Sequence, residues 1–498
     1  MKRFNRRSFI KTAGSTLAAF TVAGVLPAQK AKASERPPNI VLFLADDLGY
    51  GHLGCYGQKY IRTPYIDQFA KQGMKFTQAY SACTVCAPAR SSLLTGLHTG
   101  HTQVRGNSGG IPLRDEAVTV GELLQQSGYT TGIFGKWGMG DITTEGVPSN
   151  QGFDEFFGYL HQLHAHFYYP DYLWKNNRKW PLPGNQVLHK LPGNALGNRT
   201  QYAPDEYMNH ALHFIQENRD RPFFCFLSSV IPHVELAKPP DQELYESYKG
   251  QFEEEWFNDP RPGQVDVRDP KAVFATIISY MDSNFGKLMS ALETMGLDEN
   301  TVVLFMSDNG HRGYRGGSGW QFYDFFESGG PFRGRKGELY EAGIRVPMIA
   351  RWPGKIPAGK TNNDLVWYFP DILPTCCELA GAHIPENIDG ISVLPTLLGK
   401  NNQKTHDYLY WEYGKYNDDG LACRLDQAVR KGKWKAVRNH ASGEIELYNL
   451  DTDVSESNDV AGLHPELVSE MEKLMKESHK DTYPQLDPLK VKYQRYGY

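Results

Sequence analysis

The sequence has few cysteines for its length and lacks the spacing of a disulfide framework. Seven cysteines are spread over 498 residues, and the odd count cannot be fully paired within the chain. They are Cys55, Cys83, Cys86, Cys225, Cys376, Cys377 and Cys423. The adjacent pair, Cys376 and Cys377, falls in a predicted helix and is interpreted as part of the core.

A strong excess of charge of one sign is also missing. The net charge is −4, so nothing in the composition indicates nucleic acid or an anionic membrane surface as a partner. Hydrophobic residues make up 40% and charged residues 22%, which is ordinary for a globular protein. At 498 residues the chain exceeds the usual size of one domain, so we predict a large domain plus a smaller one.

No hydrophobic run is long enough to span a membrane. The apolar stretch 12–28 is short and interrupted by glycine, serine and threonine. It follows the twin-arginine pattern of residues 5–11 and precedes Ala-Lys-Ala at 31–33, which fits a cleavage site. We therefore predict a signal peptide over residues 1–33 and export by the twin-arginine route to the periplasm or the medium.

What the chain does have is a cysteine at a predicted helix start. Cys86-Ala-Pro-Ala-Arg90 opens a run that continues to Gly96 and is typical of a helix beginning. The free N–H groups and the dipole at a helix N-terminus favour an anion. Alone, these residues fit a structural cysteine as well as a reactive one, so the rest of the chain must decide.

Four apolar runs each end in polar or ionisable residues. They are 39–45 before Asp46-Asp47, 130–134 before Gly135-Lys136, 223–227 leading to Pro232-His233, and 301–306 before Ser307-Asp308-Asn309. Continuous apolar runs indicate strands buried on both faces, hence a parallel sheet between helices. Intervening helices are predicted over 65–76, capped by Thr63-Pro64, and over 122–127. Because ligands bind at the carboxyl ends of such strands, these endings are expected at one rim.

The residues at this rim suit one kind of chemistry. Its oxygen donors are Asp46, Asp47, Asp308 and Asn309. Oxygen donors alone favour a hard cation, calcium or magnesium, which would also relieve the repulsion between converging carboxylates. Its fixed or titratable cations are Arg90, Lys136, His233 and Lys336. Each residue alone fits a turn or a solvated side chain, but the set predicts a pocket for a sulfate or phosphate ester.

The motifs that carry these residues follow one another in a specific order. They are Asp46-Asp-Leu-Gly-Tyr-Gly51, Cys86-Ala-Pro-Ala-Arg90, Gly135-Lys-Trp137, Pro232-His233, Ser307-Asp-Asn-Gly310 and Lys336-Gly-Glu-Leu-Tyr-Glu341. From about Pro38 to the C-terminus the chain resembles the type I, formylglycine-dependent sulfatases of the alkaline phosphatase superfamily. Within them it resembles a branch of exported bacterial carbohydrate sulfatases.

The resemblance implies a role for each motif. Cys86 would be oxidised to formylglycine, whose hydrate is the nucleophile, by a formylglycine-generating or sulfatase-maturing enzyme before export. One calcium ion would be held by Asp46, Asp47, Asp308 and Asn309, with oxygens of the formylglycine at position 86 completing the contact. Arg90 would hold the formylglycine, Lys136 and Lys336 would bind sulfate oxygens, and His233 would protonate the leaving sugar oxygen.

One position departs from the family pattern. The common form is Gly-Lys-Trp-His, but Gly138 follows Trp137 here. The missing histidine normally assists near the formylglycine hydroxyls, and His311 is a hypothetical substitute. The same glycine occurs in the glycan-sulfatase branch that the chain resembles.

The expected substrate is a sulfated glycan of the galactose or N-acetylgalactosamine type, as in carrageenan or glycosaminoglycans. Export indicates a polymer or oligosaccharide, and residues 156–170 are rich in histidine and aromatic side chains. His166 resembles a position of the glycan-sulfatase branch, whereas packing explains His161 and His164 equally well. Arg105 and His311 are further candidate substrate contacts. The sugar, the sulfate position and exo or endo action cannot be read from the sequence.

Two other functions remain open at this point. One is a phosphate or phosphonate monoester hydrolase of the same superfamily, although a single metal favours sulfate. The other is an inactive glycan-binding relative, for which only Gly138 argues.

The predicted architecture is an α/β catalytic domain over 37–400, with a mixed, mostly parallel sheet between helices, and a C-terminal α+β part over 405–498. The segment Lys400–Lys404 is the predicted linker. In the C-terminal part we predict short antiparallel strands at 408–411, 427–430, 434–437 and 444–447, covered by a helix over 464–478.

Overall fold

The computed structural model describes residues 36–107, 111–186, 198–257, 267–313, 321–416, 422–440 and 443–480. The predicted signal peptide and the side chain of Cys423 lie outside this part. Residues from Pro37 onward form one compact unit, and the predicted boundary between 400 and 405 stays a prediction. The other six cysteines are free thiols, and no helix in the described ranges is long and apolar enough to cross a membrane.

Strands and helices are interspersed along the chain. The strands are β1 (Asn39–Ala45), β2 (Met74–Phe76), β3 (Ala79–Tyr80), β4 (Thr130–Lys136), β5 (Glu155–Tyr159), β6 (Tyr172–Lys175), β7 (Arg178–Pro181), β8 (Phe223–Ser228), β9 (Thr301–Ser307), β10 (Met348–Arg351), β11 (Lys360–Asn362), β12 (Trp367–Tyr368), β13 (Leu409–Tyr416), β14 (Ala422–Lys431), β15 (Trp434–Arg438) and β16 (Ile445–Asn449). The helices are α1 (Pro64–Gln72), α2 (Cys86–Thr95), α3 (Val120–Gln126), α4 (Ala203–Glu217), α5 (Gln242–Glu246), α6 (Pro270–Thr294), α7 (Phe322–Phe325), α8 (Glu341–Ile344), α9 (Ile372–Ala380), α10 (Leu394–Leu397) and α11 (Pro465–Ser478).

Ten of these strands form one mixed sheet in the order β11-β2-β10-β9-β1-β8-β4-β5-β6-β7. Its central strands are parallel, because β1 pairs with both β8 and β9, and β4 pairs with β8 and β5. Every residue of β1 is buried, which is why the run lacks polar alternation. The predicted fold class is confirmed, and the four predicted strands lie together as β1, β4, β8 and β9.

The register of the parallel strands brings their carboxyl ends to one edge. Ala45 at the end of β1 pairs with Ser307 at the end of β9, and Gly135 near the end of β4 pairs with Ser228. The residues that follow these strands therefore emerge side by side.

One predicted helix is too long. The helix expected over 65–76 ends at Gln72 in α1, and Met74–Phe76 is the strand β2 instead. Gly73 separates the two elements, and an added Cβ there would lie 2.3 Å from the Ala350 carbonyl oxygen. Close approach of the neighbouring strand β10, which pairs with β2, outweighs the helical pattern.

The predicted C-terminal strands and helix are present. Strands β13 to β16 form a four-stranded antiparallel sheet in sequence order. Met471 and Met475 of α11 are fully buried against Tyr410, Val429 and Leu447 of that sheet. This apolar contact explains why α11 begins and ends close to the predicted bounds.

Candidate active site

Cys86 is the first residue of α2 and is fully buried. Its Sγ lies 3.3 Å from Asp46 Oδ1 and 3.2 Å from Lys336 Nζ. Burial, reinforced by the charge of Asp46, raises the pKa of the thiol above its usual range. At the other end of α2, Gly96 adopts a left-handed φ of 71° and caps the helix. The predicted helix start is thus correct, and it places the cysteine among charged groups.

Arg90 and Lys136 surround the carboxylate of Asp46. Lys136 Nζ lies 2.6 Å from Asp46 Oδ2, and the Arg90 Nη2 atom lies 3.4 Å from the same oxygen. Arg90 also donates to Asp308 Oδ2 from Nε at 3.0 Å and from Nη2 at 2.9 Å. Because Arg90 is one turn beyond Cys86 on α2, one helix places both beside the strand ends.

Asp47 joins the same cluster from the other side. Its Oδ1 accepts from Lys336 Nζ at 2.5 Å and from Asn309 Nδ2 at 2.7 Å, and its backbone N–H donates to Asp308 Oδ1 at 3.1 Å. The backbone of Asp47 has φ 63°, a left-handed value that is uncommon for a residue other than glycine. This turn directs the Asp46 and Asp47 side chains into one cluster after β1.

The charges of the cluster balance in a setting that excludes water. Three carboxylates face three cations. Burial alone would raise the pKa of Asp46, but the charges of Lys136 and Arg90 outweigh burial and lower this pKa to about 2. Burial and the adjacent Asp46 raise the pKa of Asp308 to about 6. The pKa of Lys336 is raised: burial opposes its charge, but Asp47 and the other anions outweigh that effect. Removing any one of these charges would leave its partner buried and uncompensated.

The oxygen donors of the cluster fit a hard cation. Among the described residues, Asp47 Oδ2 and Asn309 Oδ1 are buried and have no hydrogen-bond donor. The potential ligand atoms of Asp46, Asp47, Cys86 and His233 all lie within 4.8 Å of one another. Buried oxygens without a donor are costly unless something positive compensates them, and carboxylate and amide oxygens are the ligands calcium prefers.

His233 completes the cluster after β8. Its Nε2 lies 3.6 Å from Asp47 Oδ2, and its Nδ1 lies 3.1 Å from the Val234 carbonyl oxygen, which assigns the ring proton to Nδ1. Burial, then Lys336 and Lys136, lower its pKa well below the usual range. The ring of His166 lies 4.9 Å from that of His233, so this candidate substrate contact borders the cluster.

Gln162 fills the space beside Gly138, where the family pattern has a histidine. Gly138 has φ 84°, and a Cβ built on it would lie 2.2 Å from Gln162 Nε2. Gln162 is buried. No sequence signal identified Gln162, because it is distant from the motif in the chain and reaches it only through the loop after β5.

His311 lies apart from Cys86. Its Nδ1 is 2.8 Å from the Arg312 carbonyl oxygen, and its ring neighbours are His52 and Tyr323, at 6.5 Å and 5.9 Å. Within the described part of the chain, no hydrogen bond joins its side chain to the charged cluster. It lines a cavity of about 800 Å³ together with Arg333, Arg335 and Tyr340, among others. A contact with substrate stays a prediction, but the structure does not bring His311 to the position left by Gly138.

Arg105 is held by the C-terminal strands. Its Nη1 donates to Glu412 Oε1 at 3.1 Å and to the Lys480 carbonyl oxygen, and its Nε donates to the Thr102 carbonyl oxygen. Only 5% of Arg105 is exposed. Its role as a sugar contact stays a prediction, and the contacts present are all within the protein.

Ser228 is a further member of the cluster that the motifs did not single out. Its Oγ accepts from Arg90 and donates to the Lys136 carbonyl oxygen, so it links two predicted site residues. Its position at the end of β8 is the signal that could have identified it, since the other strand ends supply site residues too.

Comparison with known proteins gives the family of the chain. A family model described as Sulfatase matches residues 38–382. The chain belongs to the sulfatase family. A second model, N-sulphoglucosamine sulphohydrolase, C-terminal, matches residues 333–481. The chain is 33% identical to human arylsulfatase A over 485 residues, covering 88% of this chain and 87% of that protein.

Relatives named for glycan sulfates are also similar. An N-acetylgalactosamine-6-O-sulfatase of Bacteroides thetaiotaomicron is 28% identical, with 89% of this chain and 93% of that protein covered. The crystal structure of Ps i-CgsB in complex with k-i-k-neocarrahexaose matches with a TM-score of 0.72 and 28% identity, covering 93% of this chain and 99% of that chain. The family and these relatives identify this sulfatase as a sulfuric ester hydrolase of alkaline-phosphatase-like fold.

Proposed function

We propose that this sulfatase removes O-sulfate from a sulfated glycan of the galactose or N-acetylgalactosamine type, with formylglycine made from Cys86 as the nucleophile. The observation that carries the proposal is the position of Cys86. Its Sγ contacts Asp46 and Lys336 at the start of α2, inside a buried cluster of both charges. The names of the B. thetaiotaomicron relative and of the carrageenan-oligosaccharide complex support the choice of glycan.

Asp46, Asp47, Asp308 and Asn309 would hold one calcium ion. The donor-free oxygens of Asp47 and Asn309 support this assignment. A bound calcium ion supplies positive charge that balances the carboxylates and favours a negatively charged sulfate beside them. Hydrated formylglycine supplies a hydroxyl nucleophile where the thiol of Cys86 now lies.

The remaining side chains would bind and orient the ester. Arg90 would hold the formylglycine at position 86 from one turn along α2, and it is itself fixed by Asp308 and Ser228. Lys136 and Lys336 have their ammonium groups on either side of the cluster and would bind sulfate oxygens, exchanging carboxylate contacts for substrate contacts. His233 Nε2 faces the cluster. The ring would take up a second proton at Nε2 when the negatively charged ester binds and would transfer it to the leaving sugar oxygen.

Maturation and export are parts of the same proposal. A formylglycine-generating or sulfatase-maturing enzyme would act on Cys86 before folding buries the thiol. The twin-arginine pattern in residues 5–11 supports export of the folded protein to the periplasm or the medium.

The test is release of free sulfate from a panel of sulfated galactan and glycosaminoglycan oligosaccharides by matured protein. Phosphate and phosphonate monoesters are included at equal concentration, with Cys86→Ala as the blank. We expect sulfate release from one glycan class and little phosphate release. Preferential hydrolysis of the phosphorus esters would contradict the proposal, and glycan binding without hydrolysis by aldehyde-bearing protein would indicate an inactive glycan-binding relative.

A further inference from the structure

The first turn of α2 is capped by a side chain from a later loop. Val85, the residue before the helix, forms no hydrogen bond from its own side chain to the first turn, and Pro88 has no N–H to satisfy. The Ala87 N–H donates to Oδ1 of Asn107 at 3.1 Å. Asn107 therefore satisfies the backbone next to Cys86 from 20 positions further along the chain.

The loop that carries Asn107 is fixed on both of its sides. Thr102 Oγ1 lies 2.5 Å from Ser91 Oγ on α2. Arg105, two residues before Asn107, donates to Glu412 Oε1 on β13 at 3.1 Å. The loop thus packs between the nucleophile helix and the C-terminal sheet, and the side chain of Asn107 is held at the start of α2 before any substrate binds.

The amide nitrogen of Asn107 is left to bind something else. Because Oδ1 accepts from a backbone N–H, Nδ2 is the donor end of the amide. Within the described ranges Nδ2 makes no hydrogen bond, and the side chain is only half-buried, so the nitrogen remains accessible. Oδ1 and Nδ2 are bonded to the same carbon. The free donor therefore also lies at the first turn of α2, beside residue 86.

This donor differs from the ammonium groups of the cluster. Lys336 Nζ and Lys136 Nζ lie 2.5 Å and 2.6 Å from carboxylate oxygens. A sulfate that binds these ammonium groups must compete with the carboxylates, whereas the amide of Asn107 gives up only water. A neutral donor that is already in place binds an anion without rearrangement of its neighbours. The amide is thus suited to a sulfate oxygen, which can only accept hydrogen bonds.

We propose that Asn107 is a sulfate-binding residue of the active site, whose Oδ1 fixes the start of α2 while its Nδ2 donates to a sulfate oxygen of the ester. The inference rests on the proposed function and adds one residue to those that bind the ester. An amide suits both tasks because it has an acceptor atom and a donor atom. An aspartate would keep the acceptor but would place a negative charge beside the sulfate.

Two variants separate the two atoms of the amide. Asn107→Asp keeps the acceptor for the Ala87 N–H and removes the donor, whereas Asn107→Ala removes both. Inorganic sulfate is the probe, and its binding to matured, calcium-loaded protein is measured by calorimetry. We expect both variants to bind sulfate about tenfold more weakly than the parent, because a hydrogen bond to a charged group is lost. Only Asn107→Ala should lower the Tm, because it alone removes the cap.

Asn362→Asp is the matched control. Oδ1 of this half-buried asparagine also accepts backbone N–H groups, from Asp364 at 3.0 Å and from Leu365 at 2.8 Å. It lies on the edge strand β11, away from the strands that carry the site, and should bind sulfate like the parent.

The pattern across the variants decides between the readings of Asn107. Parent-like sulfate affinity in Asn107→Asp, with weak binding only in Asn107→Ala, would make the residue a cap alone and overturn the proposal. Parent-like affinity in Asn107→Ala would assign any loss in Asn107→Asp to repulsion between charges and would overturn it too. Absence of sulfate binding by the parent would have the same consequence.

Turnover by the same proteins shows which part of the substrate the amide contacts. A contact with sulfate should lower kcat/KM by a similar factor for a small aryl sulfate and for the glycan that the parent hydrolyses. A loss confined to the glycan would place the contact on the sugar and overturn the proposal. Weakened binding of inorganic sulfate in both variants, with no sulfate release from any ester by the parent, would support the contact and contradict the proposed function.

Discussion

Lys336 Nζ lies 3.2 Å from Cys86 Sγ and 2.5 Å from Asp47 Oδ1, so one ammonium group joins the predicted nucleophile to a predicted metal ligand. Lys336 reaches this position from the loop before α8, where its backbone N–H donates to the His311 carbonyl oxygen at 2.8 Å. The contact therefore depends on residues 250 positions apart along the chain.

Replacing Lys336 is expected to reduce turnover much more than it reduces folding. Lys336→Ala removes a cation beside the proposed position of the sulfate, and loss of one such contact typically costs about 10²- to 10³-fold in kcat. The exposed Lys355→Ala is the matched control, since that lysine lies 6.0 Å from the ring of Trp352 and contacts no site residue. Sulfate release from matured protein gives the rate, and circular dichroism checks the fold. Similar rates for the two variants would contradict the role of Lys336.

Calcium is expected to stabilise the protein through Asp47. At a free concentration about 100-fold above Kd, binding to the folded state adds roughly 2.7 kcal/mol to the free energy of unfolding. Asp47→Asn should lose most of the rise in Tm that calcium produces in the parent protein. Asp298→Asn is the control, because Asp298 pairs with Arg351 at 2.5 Å and takes no part in the cluster. An equal calcium-induced rise in Tm for Asp47→Asn and the parent would exclude this ligand set.

A histidine at position 138, as in the family pattern, is expected to destabilise the protein. Shortening Gln162 is expected to reduce that loss of stability. Gly138→His places a Cβ 2.2 Å from Gln162 Nε2 on a backbone with φ 84°, so the single variant should be destabilised by about 1–3 kcal/mol. Gly138→His with Gln162→Ala should recover part of that loss, because the clash is removed while the backbone strain remains. Chemical unfolding of the two single variants and the double variant measures the coupling. Strictly additive effects would show that Gln162 does not fill the histidine position.

The free energy of unfolding is expected to decrease as the pH rises from about 5 to about 7, because of Glu456. Burial and the nearby Glu341 raise the pKa of Glu456 to about 7 in the folded protein, despite the ion pair with Lys435 at 2.8 Å. Above its unfolded pKa the unfolded chain releases this proton while the folded chain keeps it. Rising pH therefore favours unfolding by at most about 1.4 kcal/mol per unit in this window, and the loss is complete above the folded pKa.

Glu456→Gln isolates this effect from the other titrating groups. The variant keeps the side-chain shape and leaves Lys435 paired with Glu341 at 2.9 Å. The difference in Tm between parent and variant should therefore change across pH 5 to 7 and be constant above about pH 8. A constant difference across the whole range would show that Glu456 does not titrate in this window.

The strand endings could be predicted because burial on both faces leaves a visible record in the sequence. The run 39–45 has no polar alternation, and the residues after it must emerge at the edge of the sheet. That argument predicts that four site residues lie at this edge of the sheet: Asp46, Lys136, His233 and Asp308. The end of α1 could not be predicted in this way. The residues around Gly73 fit a helical pattern, whereas the strand β2 depends on its pairing with β10, which is distant in the chain.

Contacts between distant side chains left no comparable signal. The position of Gln162 beside Gly138 depends on the path of the loop after β5, and the pairing of Arg105 with Glu412 depends on how the C-terminal strands pack. His311 follows a site motif directly, yet its ring turns toward Tyr323. Proximity along the chain therefore indicated which strand end a residue follows but not where its side chain lies.

The most direct test of the account is the state of residue 86 in active protein. The protein is produced with a formylglycine-generating enzyme, the peptide bearing residue 86 is weighed by mass spectrometry, and sulfate release is measured on the same samples. Cys83→Ala is the matched control, because Cys83 is an equally buried cysteine three residues earlier. We predict that the fraction of residue 86 present as aldehyde and the rate of sulfate release rise together in the parent and in Cys83→Ala. Cys86→Ala should show no aldehyde at this position and no sulfate release. Sulfate release by protein whose residue 86 remains an unmodified cysteine would contradict the central claim.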